Sequence, residues 1–403
     1  MRRFAVLLLL FTSICFSAQA AKKATVRELK DTLSSFLQAK KTDQETATRL
    51  KEMELSEQLT LTTKNSLLAE SPGPLTTEQI YVLEGESADL VPPTAELPDR
   101  AAPDQATKDA LLAKAQQYVT DIYEELPALA ARKTVLRFQD NVEAVAQSSG
   151  IVGNAKEVDT GDGFSNPAAF VHYINSAQAD VQSDHGAEKR VVEKVKIPWG
   201  ANKMIALEEP DPSLGAVFRE AREAGKLQWV RWETVNGNPA AVYSYAVPRK
   251  TSRLALDVCC FPNVTQVGIA RFYTGTSAAA LAGSEAAGGG GGGVTGNYQT
   301  STDWHDYKTS APYHGELYID PQSGIVVRMI VEAELKPTET MHVFDERVDY
   351  GPTAAGNRTV VAPVRTIVNT VVVPNGDSYA GGYKTRRTLF ISEYKEYRES
   401  GGQ

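Results

Sequence analysis

Three residues of this chain have the side chains of a hydrolytic charge relay. Asp159, His185 and Ser277 occur in that order, each beside or near a glycine. In such a relay the serine hydroxyl attacks a carbonyl, the imidazole accepts the hydroxyl proton, and the carboxylate orients the imidazole. One hypothesis is therefore a serine hydrolase that acts through Ser277.

The sequence around these residues departs from that chemistry. Their order is similar to the order in subtilisin-like proteases, but Glu157 and Val158 do not form the buried apolar strand that precedes the aspartate there. Glu188–Arg190 places charges where a small apolar helix is needed, and no proline follows Ser277. Short Gly-Thr-Ser strings are also common in loops. We therefore assign no catalytic residue.

Residues near position 305 include ligand types that zinc prefers. Carboxylates and imidazoles are contributed by Asp303, His305, Asp306 and His314. No predicted helix or tight turn fixes their spacing, so solvated loop residues are the favoured interpretation and no metal is predicted. The glycine run Gly288–Gly293 is not a phosphate loop, because no Gly-Lys-Ser/Thr follows it. No cofactor is predicted either.

Aromatic residues on predicted hairpin strands are the remaining hint of a site. They are Trp229, Trp232, Tyr243, Tyr245 and Tyr318. Strict alternation would place Trp229 with Arg231 on one strand face and Val230 with Trp232 on the other. Packing between neighbouring strands is the ordinary explanation. The alternative is a ligand wall, since an apolar trough closed by a helix can hold an acyl chain.

The overall charge argues against a nucleic-acid partner. The chain has 403 residues with 42 Lys and Arg against 50 Asp and Glu, for a net charge of -8. Binding to phosphate backbones or anionic lipid depends on clustered basic residues, and no such cluster is visible. We predict an apolar small molecule or an envelope protein as the partner.

The first twenty residues predict export. Arg2 and Arg3 precede the apolar run Phe4–Phe16, and Ala18-Gln19-Ala20 is a small-x-small cleavage site. We expect a signal peptide at 1–20 and a periplasmic or secreted protein with no transmembrane span in its mature part. An uncleaved anchor is the alternative.

Cleavage would leave two cysteines, Cys259 and Cys260. Because they are adjacent, they cannot join distant strands. Two strand residues that point to opposite faces are favoured over a vicinal disulfide, which would strain the backbone.

The chain divides into a helical part and a strand-rich part. Residues 21–90 predict a small helical module, and the prolines in 91–104 predict a semi-rigid linker. Residues 105–126 predict a long helix whose apolar stripe comprises Leu111, Leu112, Ala115, Val119, Ile122, Tyr123 and Leu126. The remainder, to residue 403, predicts strands.

Turn chemistry defines the strand-rich part. Asp320–Gly324 separates two β-branched runs, and Asn236-Gly237 separates two more, so both predict hairpins. The Ala, Gly, Ser and Thr-rich stretch 275–312 predicts a flexible insertion. Short connections require antiparallel pairing. The predicted class is α+β: a large curved antiparallel sheet, like a half-barrel, packed on helix 105–126.

Several segments resemble a family of exported acidobacterial-type proteins. The similar segments are Leu55–Leu59, Leu90–Pro93, Trp229–Tyr245, Glu316–Arg328, Val348–Gly351 and Ala362–Arg365. The resemblance implies homology over most of the mature chain, but this family has no assigned activity or site. The predicted sheet and helix also look like the half-barrel of periplasmic lipoprotein carriers, at the level of architecture only.

The functional expectation is a non-enzymatic exported protein that holds an apolar, lipid-like ligand in a β trough. A second hypothesis is a scaffold whose helical module docks a protein partner. Hydrolysis through Ser277 is the third and least favoured.

Overall fold

The fold combines helices with antiparallel sheets, which confirms the α+β class. A computed structural model describes residues 23–123, 126, 128–139, 171–184, 187–190, 206–207, 213–225, 227–262, 304–336, 339, 341–372 and 386–400. Within these ranges the helices are α1 (Val26–Gln38), α2 (Asp43–Lys51), α3 (Leu61–Ala69), α4 (Pro74–Glu86), α5 (Gln105–Tyr118) and α6 (Leu214–Glu223). No helix among the described residues is long and apolar enough to span a bilayer.

Helices α1 to α4 form a compact module with its own core. The Thr42 hydroxyl accepts a hydrogen bond from the Glu45 amide, and the Glu45 carboxylate accepts one from the Thr42 amide, so α2 begins with a capping box. The Asp43 carboxylate also accepts from the first amides of α4 at Leu75 and Thr76. The module buries Val26, Leu29, Leu33, Leu50, Leu55, Leu59, Leu67, Ile80 and Leu83 together.

The predicted helix 105–126 is regular only as far as Tyr118. A π-helical turn, Val119–Tyr123, follows α5 and changes the direction in which the following side chains point. Tyr118, Val119 and Tyr123 are buried, whereas the side chain of Ile122 is 55% exposed. The regular 3.6-residue period was therefore wrong for Ile122, which lies outside the apolar stripe.

The main sheet has ten strands, is open and is antiparallel throughout. From one edge to the other its strands are β3 (Ala187–Arg190), β2 (His172–Asp184), β1 (Leu129–Gln139), β13 (Arg386–Glu399), β12 (Arg358–Val372), β11 (Met341–Ala355), β10 (Val326–Ala333), β9 (Tyr313–Ile319), β6 (Asn238–Val247) and β5 (Gln228–Val235). Chain neighbours pair as hairpins along most of the sheet.

Both predicted hairpins are confirmed. In the β9–β10 turn the Asp320 carboxylate accepts from the amides of Gln322 and Ser323, and Gly324 has φ of 79°. In the β5–β6 turn Asn236 and Gly237 have φ of 50° and 82°. These residue types tolerate positive φ at little cost, which explains why the local sequence located both turns.

A second sheet has the order β4 (Ala206–Leu207), β7 (Ala255–Pro262) and β8 (Trp304–Ser310). Strand β8 lies within the predicted flexible insertion 275–312, so the predicted end of that insertion was too late. Residues 275–303 lie outside the described part. Cys259 is in β7 opposite Ala206, and the side chains of Cys259 and Cys260 lie outside the described part as well.

Helices cover both faces of the main sheet. On the first face, α5, the π turn and α6 bury apolar side chains with Tyr243, Leu317 and Phe344. On the second face, Val82 of α4 packs with Phe138, Ile367, Leu389 and Ile391. The Asn369 amide donates to the Gly85 carbonyl at 2.7 Å, so α4 is also hydrogen-bonded to the sheet.

The proline-rich segment 91–104 is tied to the structure at both ends. The Gln58 amide donates to the Val91 carbonyl, and the Thr60 and Thr63 hydroxyls donate to the Glu96 carboxylate. Farther along, the indole of Trp232 donates to the Ala101 carbonyl at 2.8 Å. The segment thus runs from the helical module to strand β5.

Candidate functional site

Four of the five predicted ligand-lining aromatics lie on the first face of the sheet. A β-bulge between Trp229 and Arg231 leaves Val230 without a directly opposed partner. The extra residue puts Trp229 and Trp232 on the same side, with ring centroids 5.0 Å apart, and Arg231 on the other. Strict alternation was therefore wrong here.

The aromatic side chains of this face are engaged by the chain itself. The Arg100 guanidinium lies 4.0 Å from the centre of the Trp232 ring, and the Tyr243 hydroxyl donates to the Lys108 carbonyl at 2.9 Å. Trp229 packs edge-on against Tyr243, with ring centroids 5.8 Å apart. These residues therefore form the packing layer beneath α5 and the segment before it.

Tyr245 lies on the same face, over the backbone of Gly315. Its hydroxyl donates to the Ile330 carbonyl at 2.6 Å, and its ring packs edge-on against Tyr313. Tyr245 is entirely buried, and burial raises its pKa well above the ordinary value. It is thus a neutral core residue held by one hydrogen bond.

Substitution of Gly315 by alanine tests this close approach. An added methyl would overlap the Ile330 carbonyl oxygen and lie 2.9 Å from the Tyr245 hydroxyl. Because the first neighbour is backbone within a paired strand, it cannot move aside cheaply, and we expect a loss of about 2–3 kcal/mol. Urea denaturation measures this. Ala246→Gly on the adjacent strand serves as a milder comparison. Gly237→Ala cannot serve as a control, because the positive φ of Gly237 would itself strain an alanine at that position.

The fifth predicted residue, Tyr318, lies on the second face and belongs to a charged row. Residues directly opposite one another across consecutive strands from β5 to β13 are Arg231, Val242, Tyr318, Arg328, Asp349, Arg365 and Glu393. The Arg328 guanidinium lies 5.1 Å from the centre of the Tyr318 ring. Tyr318 is therefore separated from the other four by the thickness of the sheet.

Carboxylates neutralise the arginines of the charged row. At one end, Arg231 donates to Glu316 at 2.7 Å and to Glu233 at 2.7 Å. In the middle, Asp349 accepts from Arg328 at 2.6 Å and from Arg347 at 2.9 Å. Burial alone would raise the pKa of Asp349, but the two guanidiniums hold that pKa well below its usual range.

The helical module completes the same network. Arg365 donates to the Glu84 carboxylate of α4 at 2.6 Å, and Lys64 of α3 lies 3.3 Å from the other Glu84 oxygen. All three side chains are less than a tenth exposed. Since each charge has a partner, this network can orient the module on the sheet.

An acidic cavity of about 460 Å³ lies on the second face, and Asp89, just after α4, is part of its lining. The other carboxyl and imidazole side chains of the lining are His314, Glu316, Glu332 and Glu334. Asp345 is directly opposite Glu332 on the next strand. Burial, with smaller effects of Asp89 and Glu332, raises the pKa of Asp345 to about 7. Burial likewise raises the pKa of Asp89 and of Glu332.

A groove of about 340 Å³ separates the π turn from α6 on the first face. Buried Val119 and Phe218 are its large apolar lining residues, with Gly215 beside them. The polar lining residues are Gln116, Thr120, Arg219, Arg222 and Glu223. The sequence did not predict this groove, because its walls come from helices almost a hundred positions apart and no local pattern indicates that they are close in space.

The helix that forms one wall of the groove is firmly held. The Ser213 hydroxyl caps α6 by accepting from the Ala216 amide. On the inner side, the buried Glu220 carboxylate accepts from the Tyr313 hydroxyl at 2.9 Å and from the Arg253 amide at 3.1 Å. These contacts turn Arg219 and Arg222 outward, where both are exposed.

The remaining residues weighed for chemistry are not brought into a site within the described ranges. Asp159, His185, Ser277 and Asp303 lie outside them. His305 and Asp306 are in β8, and their side chains also lie outside the described part, whereas His314 faces Glu332 with Nδ1 3.8 Å from the carboxylate. The described residues contain no group of three side chains placed to hold a metal ion.

No protein-family model, curated protein or solved structure matches this chain.

Proposed function

We propose that this chain is an exported, non-enzymatic binding protein that holds an apolar, lipid-like ligand on the first face of its sheet. The observation that supports the proposal is the groove between the π turn and α6. Of the aromatics predicted as a ligand wall, Trp229, Trp232 and Tyr243 are engaged beneath α5 and the segment before it. The proposed entry is therefore at the edge of that helical cover and not over these aromatics.

The groove has suitable properties for one hydrocarbon chain. Its volume of about 340 Å³ lies at the lower end of the range for small-molecule sites. Val119 and Phe218, each about 3% exposed, form the apolar floor of the groove, and π-helical turns such as Val119–Tyr123 occur frequently at functional sites. Burial of about eight methylenes would gain roughly 6 kcal/mol before the costs of association. Since about 6 kcal/mol corresponds to a Kd of about 40 μM even without those costs, the expected affinity is weaker than micromolar.

A matched pair of substitutions tests this function. Gln116 lines the groove, whereas neighbouring Gln117 is exposed and does not line it. Gln116→Trp should fill the groove and weaken binding of a fluorescent acyl probe by about tenfold or more, a loss of about 1.4 kcal/mol. Gln117→Trp, with the same change of residue type one position away, should bind like the wild type.

The probe titration has clear adverse outcomes. Absence of saturable binding to the wild-type protein would reject the function. Equal weakening by both tryptophans would show that the ligand lies elsewhere. Thermal denaturation of each variant separates a blocked groove from a disturbed fold, because both exposed replacements should leave the melting temperature within a few degrees.

A further inference from the structure

Arg222 is a charged side chain at the groove that makes no stabilising contact within the described part of the chain. Its guanidinium forms no hydrogen bond or ion pair with any described residue, and the side chain is exposed in the last turn of α6. It lines the groove together with Phe218, one turn earlier on the same helix. A cation with available hydrogen-bond donors therefore stands beside a groove whose apolar floor includes the buried Phe218.

We infer that the ligand of this groove is a single-chain amphiphile with an anionic head, whose head pairs with Arg222 and whose chain lies on Val119 and Phe218. The inference rests on the proposed function and adds the chemical class of the ligand. A guanidinium donates two parallel hydrogen bonds to a carboxylate or a phosphate, so either head has the required chemistry.

The charges around the groove select against other heads. Arg219 and Arg222 contribute two positive charges to its lining, and Glu223 contributes one negative charge. A cationic head would face a net positive wall. A neutral head would gain no charge-assisted hydrogen bond from Arg222. An anionic head pairs with the Arg222 guanidinium, and because the site is open to water, salt should weaken that pairing.

Titration of a decyl series into the purified protein, below micelle-forming concentrations, tests the head-group specificity. Decanoate and decyl phosphate should bind about three- to tenfold more tightly than decanol, and decyltrimethylammonium should bind most weakly. Acetate and inorganic phosphate, which lack the chain, should not bind. Raising the salt concentration should reduce the difference between decanoate and decanol.

Arg222→Gln should weaken decanoate binding by about three- to tenfold and leave decanol binding unchanged. Arg27→Gln is the matched control, because Arg27 is exposed on α1 and no described residue pairs with its side chain. It removes the same charge from the helical module and should alter neither ligand.

The outcomes distinguish this inference from the function itself. Equal affinity for decanoate and decanol, with no effect of Arg222→Gln, would overturn the anionic head and leave chain binding intact. Binding of phosphate or acetate without a chain would also overturn it. Failure of every decyl compound to bind would instead reject the groove as an apolar site.

Discussion

Asp349→Ala should destabilise the protein by about 3–5 kcal/mol. Asp349 accepts hydrogen bonds from Arg328 and Arg347, and all three side chains are about 5% exposed or less. Removing the carboxylate would leave the buried Arg347 without its ion-pair partner and Arg328 with only the more distant Glu233, at 3.5 Å. An uncompensated buried charge is among the costliest consequences of a single substitution. Equilibrium urea denaturation at neutral pH measures the loss.

An exposed pair serves as the control for this experiment. Arg358 and Glu399 also form an ion pair, but both side chains are more than two-fifths exposed. Glu399→Ala should therefore cost less than about 1 kcal/mol. If Asp349→Ala cost no more than Glu399→Ala, the centre of the charged row would not be buried as described. Should Asp349→Ala fail to fold, Asp349→Asn, which keeps the shape and some hydrogen bonds, should give a measurable intermediate loss.

Stability should decline as the pH rises from about 4 to about 7, with a contribution of about 1–2 kcal/mol from Asp345. The folded-state pKa of Asp345 is raised from 3.8 to about 7. The folded state therefore holds this proton more tightly than the unfolded state. The stabilisation is complete below about pH 4 and is lost as the pH passes through 7. One pKa unit corresponds to about 1.4 kcal/mol, and partial solvent exposure of the carboxyl reduces the total.

Asp345→Asn should remove this part of the pH dependence and make the protein more stable than wild type at pH 8. Asp31→Asn, at an exposed position of α1, is the matched control and should leave the profile unchanged. Urea denaturation between pH 5 and pH 8 gives both profiles. If Asp345→Asn keeps the wild-type slope, the Asp345 carboxyl is not desolvated in the folded state.

Hydrogen exchange can locate the same effect in the structure. Asp89, just after α4, lines the acidic cavity together with Glu332 of the sheet. When ionised, these carboxylates and Asp345 repel one another where the helical module meets the sheet, and the last turn of α4 has no basic residue to offset them. We expect amide protection in residues 82–90, corrected for intrinsic exchange, to fall more than elsewhere when the pH is raised through 7.

Much of the fold could be predicted because it depends on local chemistry. Asp320, Asn236 and Gly237 define turns through their own backbone preferences. The π turn after Tyr118 could not be predicted from the apolar period, because it is decided by how Val119 and Tyr123 pack against the sheet and α6.

The candidate site, in contrast to the turns, depended mainly on tertiary structure. The amino-acid sequence identified the aromatic residues, but a bulge at Val230 determined which side of β5 carries Trp232. Arg222 and Gln116 line one groove, but no local sequence pattern around either residue indicated that they would be close together. A one-residue change in register exchanges the two faces of a strand, and that register depends on the neighbouring strand.

By itself, then, the sequence determined the α+β class and the hairpin turns, since each follows from interactions between residues a few positions apart. Only the tertiary structure decided that Tyr318 belongs to a buried charged row, that α4 covers apolar side chains of the second face, and that α6 stands beside the π turn. Those relations join residues from distant parts of the chain, and they form because burial requires each charge and each apolar face to find a partner in space.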